Sequence, residues 1–174
     1  MNPTTSSPAP GASAPPGAVG AASGSVKQFI TFTLDAQEYG VDIMLVREIK
    51  GWIETTALPQ APSYVRGVIN LRGVIVPILD LRARFGMGTT VPTRMHVIII
   101  VTAGARMTGL LVDAVSDIIA VEPAPVRPLP QMDMPTEESF LDGLVALEDR
   151  MVTLVSLTGL IGLGASPGSD QRPN

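Results

Sequence analysis

The stretch Val65-Arg66-Gly67-Val68-Ile69-Asn70-Leu71-Arg72-Gly73-Val74-Ile75-Val76-Pro77-Ile78-Leu79-Asp80-Leu81-Arg82 decides the fold. β-Branched residues flank Asn70-Leu71-Arg72-Gly73, with Val68-Ile69 before it and Val74-Ile75-Val76 after it. Such side chains fit the pleated surface of a strand. Asn at the first position of a tight turn and Gly at the fourth suit turn chemistry. The stretch therefore predicts a strand–turn–strand with Arg72 at its tip. Pro77 has no amide proton to donate, which assigns its strand an edge or bulge position there. After Asp80, residues 81–86 read as one or two helical turns stopped by Gly86.

Upstream, residues 28–34 (QFITFTL) alternate Phe29, Thr31 and Thr33 with Ile30, Phe32 and Leu34, a strand with a mostly apolar second face. The polar run Asp35-Ala36-Gln37-Glu38 fits a hairpin turn, and residues 39–43 return. Apolar residues at 41, 43, 45, 46 and 49 are ambiguous and fit a strand first and a helical turn later. Pro59 and Pro62 punctuate a loop. Downstream, residues 87–94 are a loop, and residues 96–101 and 107–112 form two apolar strands joined by a hairpin. Residues 113–119 continue as a strand. Five prolines between 123 and 135 make residues 122–137 a stiffened connector. Residues 140–147 and 151–157 form a last hairpin, and residues 158–163 a short terminal helix. About nine short strands at spacings of roughly eight to twelve residues mean an all-β barrel or sandwich. Two small barrels packed together fit the lengths better than one.

Composition narrows the function. The chain has 174 residues, a net charge of −4 and no cysteine. A mildly acidic balance argues against nucleic-acid binding, which rests on a basic face. Disulfides, thiolate metal sites and cysteine nucleophiles are excluded. Hydrophobic residues make up 45% but aromatics only 4%, so the core is aliphatic. No apolar run approaches the roughly 20 residues of a membrane helix. Of residues 1–25, 22 are Ala, Pro, Gly, Ser or Thr and none is charged, so this segment is expected to be a disordered tail. Residues 164–174 read the same way, which leaves residues 26–163 as the folded part.

Catalytic material is scarce. His96 is the one histidine, and at the head of HVIIIV it reads as solvated or bonded to backbone. Asp113 and Asp117 lie four apart, as in a strand with both on one face, and read as solvated positions. No spacing demands a metal, and no phosphate loop or dinucleotide fingerprint occurs. Two charges stand out instead. Arg72 tips an aliphatic hairpin, and Glu48 lies between Val46 and Ile49. If they meet, the pair would be partly buried, an arginine fork matched to a carboxylate. The alternative is a simply solvated Arg72.

The blocks EYGVDI (38–43), VREI (46–49), GVINLRGVIVPILDL (67–81), LVDAVSDI (111–118) and LDGL (141–144) resemble the CheW adaptor family, in the family's order. That resemblance implies two small five-stranded β-barrel subdomains, short helical turns and function by binding alone, without a cofactor. It implies a cytoplasmic adaptor that couples the hairpin tip of chemoreceptors to the regulatory domain of the histidine kinase CheA, pairs with other copies, and binds neither nucleic acid nor the membrane interior. A kinase's own regulatory domain and a hybrid adaptor with a receiver domain share the likeness, but these 174 residues hold no ATP-binding or receiver module, so a stand-alone adaptor is expected. By resemblance Val46, Glu48, Gly67, Arg72 and Ile118 contact the receptor or shape its groove. Val41, Ile43, Val97, Ile99 and Val115 are weaker candidates for the same role, with plain barrel core as the alternative. Asn70, Leu71, Gly73, Pro77 and Asp80 form the turn motif. The rival readings are a small-molecule-binding β-barrel and a metal enzyme built on acidic residues.

Overall fold

In a computed structural model the described residues are 25–122, 126–128 and 140–162. Both expected tails lie almost wholly outside them, as does most of the 122–137 connector. Among the described residues eleven strands form two sheets. The six-stranded sheet has the order β8 (Ala114–Val121), β1 (Lys27–Leu34), β2 (Gln37–Asp42), β11 (Met151–Val155), β10 (Leu141–Ala146) and β9 (Val126–Arg127). The five-stranded sheet has the order β3 (Val46–Gly51), β6 (Val97–Ala103), β7 (Arg106–Val112), β5 (Val74–Asp80) and β4 (Val65–Leu71). The described residues also include two short α-helices, α1 (Leu81–Arg84) and α2 (Leu157–Gly162).

The all-β class stands, but two five-stranded barrels do not describe it. Neither sheet closes by a continuous ladder among the described residues, and one has six strands. In the five-stranded sheet the edges β3 and β4 are joined by isolated contacts instead. The chain beyond β3 reaches β4 at a single bridge, with Thr56 N donating to Val68 O (2.9 Å) and Val68 N to Thr56 O (2.8 Å). Each sheet also joins distant parts of the chain in parallel, β2 to β11 and β5 to β7.

Aliphatic packing explains this arrangement. Ile30, Phe32 and Leu34 of β1 meet Ile99, Val101, Leu110 and Val112 in a core shared by the sheets, capped by Leu157, Leu160 and Ile161. A second cluster (Ile69, Leu71, Val76, Ile78, Ile98, Ile100, Leu111) fills the five-stranded sheet, and a third (Phe29, Ile119, Val121, Val145, Val152, Leu154) fills the six-stranded one. Strands β6 and β7 are covered on both faces, so they read as unbroken apolar runs. Full burial of such side chains supplies roughly 1.5–3 kcal/mol each before entropy is subtracted.

The β4–β5 hairpin forms as expected, but its turn is shifted by one residue. Leu71 pairs with Val74, so Arg72 and Gly73 are the two central residues. Both have positive φ (50° and 87°), as in the turns that match strand twist. Asn70 still serves the turn, because its Oδ1 accepts from Gly73 N at 2.8 Å. Pro77 sits at a local edge position, as expected, although β5 as a whole is interior. Pairing with β7 begins only at Ile78, so at Pro77 the strand has one neighbour and no donor is missed. The ambiguous segment begins as expected, with strand β2 through Asp42 and then a 3-10 turn (Ile43–Leu45), but the chain returns to strand at residues 46–51, which the periodicity did not show. Helix α1 follows Asp80 as read, ended by Phe85 and by Gly86 at φ 72°.

Candidate functional site

Glu48 and Arg72 meet across the β3/β4 seam, and Gly67 lies farther along the same seam, against Thr56. Arg72 Nη1 lies 3.1 Å from Glu48 Oε2, and Nη2 donates to Oε1 at 3.3 Å. Lys50 Nζ donates to the same Oε1 at 2.9 Å. The Lys50 hydrogen bond, with those of Arg72 and both cationic charges, holds the Glu48 carboxyl below its ordinary value against a weaker push from burial. The pair is less buried than expected: the Arg72 side chain is 75% exposed and that of Glu48 24%. The two charges sit at the rim because the strand edges they join face solvent.

Gly67 has a steric task. Its φ is 138°, and an added Cβ would lie 2.2 Å from Thr56 O and 2.7 Å from Thr56 C. The close approach is made by the chain's own backbone, and it lets residues 55–57 seal the seam. Thr55 Oγ1 also donates to Arg66 O at 3.1 Å, and Arg66 lies over the Trp52 ring.

The remaining residues fall elsewhere. Val46 is half-buried on β3 and packs on the shared core. Ile118 is 53% exposed on β8, an edge of the other sheet. Val41 and Ile99 are buried, and Ile43, Val97 and Val115 are half-buried and pack on the same core, in line with the plain-core alternative. Grooves among the described residues include one of about 620 Å³ beside β4, β5, β7 and α2, and one of about 490 Å³ beside β1, β10 and α2. None of Val46, Glu48, Gly67, Arg72 and Ile118 lines either one.

Asp80 is fully buried and does more than end a strand. Its Oδ1 accepts from Ala83 N (3.3 Å) and Thr90 Oγ1 (2.7 Å), and its Oδ2 from Thr90 N (2.8 Å). One carboxylate thus caps α1 and pins the 87–94 loop.

Asp113 was missed as a structural residue. It sits in the bend between β7 and β8, not on a strand face with Asp117. Arg82 grips it with a fork, Nε to Oδ1 at 2.9 Å and Nη2 to Oδ2. Asp35 N donates to Oδ2 at 2.7 Å, and His96 Nε2 is 3.6 Å from Oδ1. Burial pushes the Asp113 carboxyl up, but the Arg82 and Asp35 hydrogen bonds and the Arg82 charge outweigh it and hold it low. Asp113 in turn raises Arg82. His96 bonds to backbone as expected, its Nδ1 accepting from Thr93 N at 2.9 Å, and that fixes its proton on Nε2, facing Asp113. Sequence spacing carried no signal for this hub, because its members come from four distant segments.

A profile of the CheW-like domain matches residues 28–165. The chain belongs to the CheW-like family. It is 49% identical over 131 residues to "Chemotaxis protein CheW" of Rhizobium meliloti (strain 1021), covering 75% of this chain and 84% of that protein. A second relative, from Klebsiella aerogenes, is 39% identical over 135 residues, 78% of this chain and 81% of that one. The crystal structure of the scaffolding protein TtCheW from Thermoanaerobacter tengcongensis superposes with a TM-score of 0.68 at 34% identity, over 76% of this chain and 86% of that one. Nothing in these CheW-like relatives supports the small-molecule-binding alternative.

Proposed function

We propose that this chain is a non-enzymatic adaptor of bacterial chemotaxis that joins the cytoplasmic hairpin tip of chemoreceptors to the regulatory domain of the histidine kinase CheA. One observation carries the reading at the level of residues. Arg72 occupies a positive-φ turn position where Asn or Gly is preferred, yet it stands three-quarters exposed and held by Glu48. A non-glycine residue there costs roughly 1 kcal/mol. A fixed, exposed guanidinium at that cost serves an external contact better than it serves the turn.

The receptor surface in this reading comprises Glu48 and Arg72 at the seam, Gly67 through the shape it permits, and Val46 and Ile118 as apolar neighbours. The kinase domain, and other copies of the adaptor, take exposed aliphatic strand positions, for which Ile49 on β3 and Val74 and Ile75 beside the turn are suited. Among the described residues no helix is long and apolar enough to cross a membrane, which supports a cytoplasmic adaptor recruited to receptor arrays rather than inserted. Pull-down by immobilised receptor signalling fragments, and separately by the kinase regulatory domain, tests the proposal. Retention on both is expected, and retention on neither contradicts it.

A further inference from the structure

Helix α1 is a single turn, yet it ties the two sheets together through successive side chains. At its start Asp80 fastens it to the end of β5 and to Thr90. Arg82 crosses to Asp113, where the chain passes from the five-stranded sheet to the six-stranded one, and lies 4.0 Å from Asp35 in the β1–β2 turn. Arg84 is held between two rings, its guanidinium carbon 4.5 Å from the centre of Tyr64 and 4.7 Å from that of Phe140. Phe85, at the helix end, stacks on Phe140 (5.4 Å) and packs on Tyr39 of β2 (5.2 Å), which stacks on Phe32 of β1 (5.9 Å). Five of the chain's seven aromatic residues therefore take part in one continuous bridge.

The two rings around Arg84 belong to different sheets. Tyr64 immediately precedes β4, the strand that carries Gly67 and leads to Arg72, and its carbonyl accepts from Asp80 N at 2.7 Å. Phe140 immediately precedes β10, and its carbonyl accepts from Ser156 N at 2.8 Å beside β11. A guanidinium plane stacked on aromatic faces is directional, so moving either ring displaces the other through it.

We infer that α1 couples the two sheets and that Arg84 is the positioning residue, so that a receptor contacting Ile118 on the six-stranded sheet changes how the five-stranded sheet, with Ile49, Val74 and Ile75, is presented to the kinase. This rests on the adaptor reading above. Its experiment uses the full chain with Arg84→Leu, Phe140→Leu and the ring-preserving control Tyr64→Phe. Affinities for receptor fragments alone and for the kinase alone should stay within about twofold of wild type for all three, while kinase activation in receptor-containing membranes should fall at least about fivefold for the first two only. Residual dipolar couplings of the isolated chain should show a changed or averaged orientation between the sheets in Arg84→Leu and Phe140→Leu. Wild-type activation, an unchanged orientation, or affinities that fall in parallel with activation would each overturn the inference. Should wild-type protein bind neither partner, the adaptor reading fails instead, and the orientation measurement still decides whether α1 couples the sheets.

Discussion

Glu48 of β3 and Arg72 of the β4–β5 turn stand on opposite edges of one sheet and join them, with Oε2 and Nη1 3.1 Å apart. Both ends of this contact reach solvent, and an exposed ion pair adds little to folding. In the adaptor reading proposed above, its consequence belongs to recognition. Arg72→Ala should leave thermal unfolding essentially unchanged while weakening binding to receptor fragments by about tenfold or more, as truncation of an arginine anchor does. Calorimetry together with titration of the fragment checks both halves.

Gly67 behaves in the opposite way. A methyl group there meets backbone that has no free direction to move, at a φ that alanine disfavours. Gly67→Ala should destabilise the domain by about 2–4 kcal/mol in denaturant titration. The amides of Thr56 and Val68, which seal the seam, should lose protection from hydrogen exchange first. Uniform loss of protection across both sheets would show that the strain is not local.

Asp113 sets an acid limit on stability. Its carboxyl is held below the unfolded aspartate value of about 3.9. The stability it contributes is therefore present above that value and is lost as pH falls through the folded value. Arg82, raised by the same contact, contributes at every pH below the ordinary arginine range and adds no slope near neutrality. Asp113→Asn should cost about 1–3 kcal/mol at pH 7, after allowance for partial exposure, and should flatten the decline below about pH 4. Urea titrations of both proteins between pH 3 and pH 7, values chosen to bracket that range, read the difference directly.

Much of this was legible because local chemistry and final structure agree. The β4–β5 and β6–β7 hairpins and α1 each lie within a few residues of their own signals: β-branched runs, Gly104 at a turn, Asp80 before a helix and Gly86 after it. The frame of the Arg72 turn was not, because Asn70 and Gly73 fit two adjacent frames and strand twist selects the one with two positive φ values. Nor were the parallel pairings of β2 with β11 and β5 with β7, which depend on where distant segments meet. Val41 and Ile99 fitted both a groove and a plain core reading, because a core strand and an apolar docking strand have the same alternation. Asp113 looked solvated because its partners Asp35, Arg82 and His96 are 78, 31 and 17 residues away along the chain.

Sedimentation with receptor-containing membranes, with and without kinase, tests the central claim most directly. Wild-type protein should pellet with the receptors, and the kinase should pellet only when the adaptor is present. Arg72→Ala should lower both amounts together. Kinase that reaches the membranes equally well without this chain, or a chain that stays in the supernatant beside its receptors, would contradict the account.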